Sequence, residues 1–121
     1  MNKIKFSHNW NMKLNNNIFT TIRKSTKEKE EYYDNQIGNE FEVVLVRDIN
    51  DIRPDRTMGT AILIDVEEVR FSEIPLGLLY LDTGLTGFDD INKEYEVKKL
   101  FRKFGIEAMT KVLILTFKRK I

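Results

Sequence analysis

The chain contains no cysteine and a single histidine, His8. Disulfides, thiol nucleophiles and cysteine-based zinc sites are therefore excluded, and a soft-metal centre has almost no donors left. Proline occurs only twice, each time as punctuation: Pro54 cannot donate in a central strand, and Pro75 suits the first turn of a helix. No apolar run approaches the ~18 residues of a membrane-spanning helix. The opening MNKIKFSHNW lacks the apolar segment of a secretory signal. There is no Gly-x-x-x-x-Gly-Lys loop, no Gly-x-Gly-x-x-Gly turn and no Gly-x-Ser-x-Gly elbow, which removes most nucleotide-cofactor and serine-hydrolase classes. The expectations are a cytoplasmic protein with no cofactor, no bound metal and no membrane partner.

What is present is enough for one ordinary core. The chain has 121 residues, 41% of them hydrophobic and thirteen of them Phe, Tyr or Trp. That length is one domain of the usual ~100–200 residues, and the composition is not that of a disordered chain.

The net charge of +1 conceals a strong asymmetry. Residues 1–30 carry seven basic and two acidic groups (+5), and residues 91–121 carry nine and three (+6). Between them, residues 31–60 carry three and seven (−4) and residues 61–90 one and seven (−6). If the terminal segments meet in the fold, a basic face attractive to polyanions forms without a basic isoelectric point. The plainer alternative is that these charges simply solvate the surface.

Along the chain, Lys3 to Phe6 alternates as an edge strand does. Asn15 to Asn17 mark a turn, and Ile18 to Arg23 (IFTTIR) reads as a strand, almost wholly β-branched or aromatic. Residues 24–36 read as a charged connector, either mobile or one helical turn, closing on Tyr32 and Tyr33. After the Gly38-Asn39 turn come a strand from Glu40 to Arg47, a hairpin loop through Pro54, and a long strand from Met58 to Phe71, bent or bulged near Asp65. Ser72 and Pro75 introduce a helix carrying Leu76, Leu78, Leu79, Tyr80 and Leu81. A second helix, Asn92 to Phe104, places Val97, Leu100, Phe101 and Phe104 on one apolar stripe and ends at Gly105. Asp89 and Asp90 are suited to its N-terminus. Lys111 to Lys120 is apolar on both faces, so it belongs inside a sheet or barrel. About five strands and two helices on one core define a small α+β fold with a curled sheet.

Few residues carry chemistry. On the strand Thr20-Thr21-Ile22-Arg23, side chains alternate, so Thr21 and Arg23 share a face and form a polar pair able to present donors to a phosphate or a base edge. Equally, threonine is a common strand residue and Arg23 borders a charged loop. Trp10 and Tyr32 are candidate platforms for unpaired bases, whereas Phe19 and Tyr33 read better as core. His8, beside Trp10, reads as a surface or packing residue. Asp82 is the best-placed isolated carboxylate, although a helix-end cap would look the same.

Taken in order, TTIR (Thr20 to Arg23), YYDNQIGNEFEVVL (Tyr32 to Leu45), AILIDVEEVRFSEIP (Ala61 to Pro75), LDTG (Leu81 to Gly84), the Leu100-Phe101 helix and VLILTFKR resemble the ASCH domain family of the PUA-like superfamily. The resemblance covers nearly the whole chain, residues 1–121, as one domain. It implies a small curled β-barrel of about five to six strands with two or more peripheral helices, associated with RNA. Ligand would lie in a cleft beside the Thr-x-Arg strand. Some ASCH proteins resemble small amidohydrolases that deacetylate acetylated cytidine, using a Lys, a Thr and a Glu. Here Thr21 matches the Thr and Arg23 the Arg, the acid falls near Asp82, and the Lys position is Ile18, which can neither activate a nucleophile nor carry charge.

Three functions follow as expectations. The first is a non-catalytic module binding RNA or a modified nucleotide. Arg23, Lys24, Lys98, Lys99, Arg102, Lys118 and Arg119 would contact phosphate, and Trp10 or Tyr32 would stack. The second is an amidohydrolase or ribonuclease acting on RNA or acetylated cytidine nucleoside, with Thr21 as nucleophile or its positioner, Asp82 as acid/base and Lys13 or Lys24 as a distant activator. The third is a protein-interaction adaptor that uses the acidic middle of the chain against a basic partner.

Overall fold

The computed structural model describes residues 2–6, 14–46, 55–83 and 90–120; of residues 80–83 and 90–93 it describes the backbone. Five strands form one mixed sheet: β1 (Asn2–Phe6), β2 (Ile18–Lys24), β3 (Glu40–Leu45), β4 (Arg56–Arg70) and β5 (Lys111–Arg119). Their order across the sheet is β1-β3-β4-β5-β2. Only β1 and β3 run parallel; the other neighbours are antiparallel. Three helices complete the fold, α1 (Lys27–Asp34), α2 (Leu76–Thr83) and α3 (Asp90–Arg102), with a 3₁₀ turn at Phe71–Glu73. This is a small α+β protein, as expected. The sheet is not closed: among the described residues no ladder joins its edges β1 and β2. It is nevertheless curled, because the rings of Phe6 on β1 and Phe19 on β2, at opposite edges, lie 6.0 Å apart.

Each face of the sheet buries its own core. On the concave face, Phe19, Phe41, Val43, Leu63, Leu113, Leu115 and Phe117 pack with Ile4 and Phe6. On the convex face, Ile22, Val112 and Ile114 lie under Leu79, Val97, Phe101 and Ile106. β5 lies between β4 and β2 and sends alternate residues to the two cores, which is why it is apolar throughout. β4 changes phase where the register slips between Leu63 and Asp65. Ala61 and Leu63 face the concave core before the bulge and Val66 after it, while the extra residue, Ile64, is 42% exposed. One inserted residue restores the apolar side of a strand to the same core.

The helices differ from expectation at both ends of the chain. Residues 24–36 hold a two-turn helix rather than a charged connector. Thr26 is extended and its hydroxyl accepts from the Lys29 N–H at 3.1 Å, capping the helix, and Glu28 and Glu30 occupy the favourable first turn. At the other end, α3 stops at Arg102, so Phe104 lies beyond it and is 60% exposed. The position on the apolar stripe is taken instead by Ile106. Gly105, at φ +76°, turns the chain back; its N–H bonds the Arg102 carbonyl and the Ile106 N–H bonds the Phe101 carbonyl. That pairing is a Schellman cap, which brings Ile106 onto Phe101. Ser72 belongs to the 3₁₀ turn, and α2 starts after Pro75, whose carbonyl accepts from Leu78 and Leu79. Asp89 lies outside the described residues. No described helix is long and apolar enough to cross a membrane.

Candidate functional site

The alternation of β2 places Phe19, Thr21 and Arg23 opposite Phe117, Leu115 and Leu113 of β5, on the concave face. Thr21 is the one polar side chain described as buried, at 5% exposure. Its Oγ1 accepts a hydrogen bond from Arg23 Nε at 3.2 Å. The same guanidinium donates from Nη2 to the Lys5 carbonyl at 2.8 Å and lies over the Phe6 ring, 5.1 Å from its centroid. Arg23 therefore reaches from β2 to β1 across the gap between the sheet edges.

Helix α1 packs through Tyr33 against the same concave core. Tyr33, half-buried, stacks on Phe41 of the concave core at 6.4 Å and meets Tyr32 edge-on at 5.0 Å. Burial raises the Tyr33 phenol above its ordinary value, and the Arg23 charge partly offsets that shift. A guanidinium, a buried hydroxyl and aromatic rings thus converge where the two sheet edges face each other. Such a set suits planar, anionic or base-bearing ligands, because arginine stacks on rings and bonds phosphate oxygens in one plane.

The remaining candidates are distributed widely. Lys24 faces the convex side, its Nζ beside Gly105 at the end of α3. Lys98, Lys99 and Arg102 are exposed on α3, and Lys98 pairs with Glu94 at 2.8 Å. Lys118 is exposed opposite Ile18, six residues along β2 from Lys24 and so roughly 20 Å away. Arg119 is turned inward: its guanidinium donates to the carbonyls of Leu14 and of Met58, the latter at 2.8 Å. Tyr32 is 41% exposed. Trp10, His8 and Lys13 lie outside the described residues, as does the side chain of Asp82 on α2. Ile18 is 55% exposed and on the opposite face from Thr21.

The structure thus joins Thr21 to Arg23, as the strand alternation predicted, and adds two partners that sequence reasoning passed over. Phe6 carried a signal, since it shares a face with Ile4 in the alternating segment KIKF. The Lys5 carbonyl carried none, because backbone acceptors are invisible until strands are paired. In comparisons with protein families, with curated proteins and with solved structures, no family model, protein or structure matches the chain.

Proposed function

We propose that this protein is a non-catalytic module of the ASCH, PUA-like type that binds RNA or a modified nucleotide, its curled sheet corresponding to the barrel of that family. The observation that carries this reading is the placement of Arg23: bonded to Thr21 and to the Lys5 carbonyl and laid over Phe6, at the gap between the sheet edges. Support also comes from charge, since the basic first and last quarters of the chain meet where β2 pairs with β5. Binding is favoured over catalysis because neither Ile18 nor Lys24 shares the face of Thr21, and the Thr21 hydroxyl is buried against Arg23. A nucleophile needs an activating base within reach.

Fluorescence anisotropy with short single-stranded and duplex RNA, at about 50 and about 200 mM salt, tests the proposal. Micromolar or tighter binding that falls steeply with salt is expected. Arg23→Ala should weaken it about 10- to 100-fold, the worth of one charged hydrogen-bonding partner, with Arg23→Lys recovering part. No binding at low salt, or an unchanged affinity in a folded Arg23→Ala protein, overturns the reading.

A further inference from the structure

A cavity of about 560 Å³ opens on the convex side, between α3, the start of α2 and the turn that follows Gly105. That volume falls in the range that accommodates small ligands, ~300–1,000 Å³. Its floor is Phe71, Ile74, Leu79 and Ile106, each at 5% exposure or less. Phe71 packs on Phe101, 4.8 Å between ring centroids, so the floor belongs to the convex core.

Floor and wall together decide what this chamber can hold. The backbone donors of the floor are already committed. The N–H groups of Phe71 and Ile74 bond the carbonyls of Thr110 and Phe71, that of Leu79 bonds Pro75, and that of Ile106 bonds Phe101. Thr21, the one polar side chain described as buried, is on the other face of the sheet. A charge carried down to this floor would lose its hydration with nothing to replace it. The wall carries Glu94, Lys98, Arg102 and Glu107, two acidic and two basic groups, so its charges cancel. Glu94 and Lys98 bond each other at 2.8 Å with both side chains about half exposed, and Arg102 and Glu107 are exposed. Heads solvated in this way attract a ligand charge only weakly, and their balance favours neither sign.

We infer that this cavity binds a small, uncharged, predominantly apolar molecule, held by burial against Phe71, Ile74, Leu79 and Ile106 rather than by an ion pair. Thr21 and Arg23 are on the other face of the sheet, so this site does not rest on the RNA reading.

The uncharged dye N-phenyl-1-naphthylamine serves as the reporter, and three competitors share one ring system: 1-naphthalenemethanol, 1-naphthoate and 1-naphthylmethylammonium. Titration followed by fluorescence should give saturable, one-to-one binding of the dye. The alcohol should displace it at least about tenfold better than either ion, and the two ions should differ by less than about threefold. Ala108→Trp, at an exposed position on the lip, should fill the mouth and weaken dye and alcohol at least about tenfold. Arg102→Ala should leave the alcohol within about twofold and shift the balance of the ions toward the cation. Either ion competing as well as the alcohol, or an Arg102→Ala loss for the alcohol as large as that of Ala108→Trp, would overturn the uncharged class. Absence of saturable binding, or binding indifferent to Ala108→Trp in a cooperatively melting protein, would overturn the site.

Discussion

Arg23 and Arg119 are on neighbouring strands and look alike in sequence, yet their surroundings give them different work. Arg119 bonds the carbonyls of Leu14 and Met58, and its Nε is buried without a partner. Gly59, at φ +103°, makes the approach possible, since a Cβ there would lie 3.2 Å from Arg119 Nη1. Arg119→Ala should cost about 2–4 kcal/mol by stranding two part-buried carbonyls, and urea unfolding measures it. A loss under 1 kcal/mol would show that water replaces the guanidinium. On the same face of the sheet as Arg23, with Leu113 of β5 between them, Glu68 is linked electrostatically to Glu30 of α1. A hydrogen bond to Glu68, reinforced by repulsion from its charge, raises the Glu30 carboxyl above 4.5; a hydrogen bond from Ser25, followed by that from Glu30, lowers Glu68. The stability Glu30 adds is present below its unfolded pKa and lost as pH rises through the raised one. The contribution of Glu68 is lost as pH falls through its lowered value, so the pair is tightest around the ordinary carboxylate range. Glu30→Gln keeps a permanent donor. Denaturation profiles from about pH 3 to about pH 8 should show the wild type losing stability relative to the variant on the alkaline side. Parallel profiles would refute that linkage.

Helix α3 shows how an element's end can outweigh its periodicity. The stripe Val97, Leu100, Phe101 points onward to Phe104, but the positive φ of Gly105 reverses the chain first and substitutes Ile106, 3% exposed, in the convex core. Gly105→Ala should cost about 1 kcal/mol, since an L side chain resists that backbone region, and the Cβ would meet Lys24 Nζ at 3.4 Å. Thermal unfolding should show a loss of a few degrees; an unchanged midpoint would mean that the turn relaxes without the cap. Helix α1 makes the complementary point. Its residues, KEKEEYYD, bury none of their side chains fully, so no apolar stripe announces it. Its signals are the Thr26 cap and the acidic first turn, both of which are local and readable, and the reading of a mere connector overlooked them.

At the scale of the molecule, one five-stranded sheet separates two cores, and the candidate sites divide with them. The concave core places Thr21 and Arg23 at the gap between the edges, and the convex core, with its helices, forms the cavity beside Arg102. Phe117 is central to the first, its ring 5.4 Å from both Phe19 and Phe41. Phe117→Ala should remove about 3–5 kcal/mol, a large share of a stability that for such domains is about 5–15 kcal/mol. Urea unfolding should show an earlier midpoint. If the midpoint stayed in place, Phe117 would not be part of the cooperative core.

The sequence by itself determined the elements whose signals are local. These are the five strands, the doubly apolar β5, the bulge near Asp65, the stop at Gly105 and the pairing of Thr21 with Arg23 by simple alternation. It also determined that the charge is segregated along the chain. Only the tertiary structure decided which strands are neighbours, and with that everything that depends on pairing: the meeting of the two basic ends, the reach of Arg23 to the Lys5 carbonyl, and the inward turn of Arg119. It also left the sheet curled but open where a closed barrel was expected. The physical reason is the same throughout. Helix caps, turns and alternation are set by interactions within a few residues. Strand order, cavities and the partners of a long charged side chain are set by contacts between segments up to a hundred residues apart, and no local pattern encodes which of the available acceptors a guanidinium will meet.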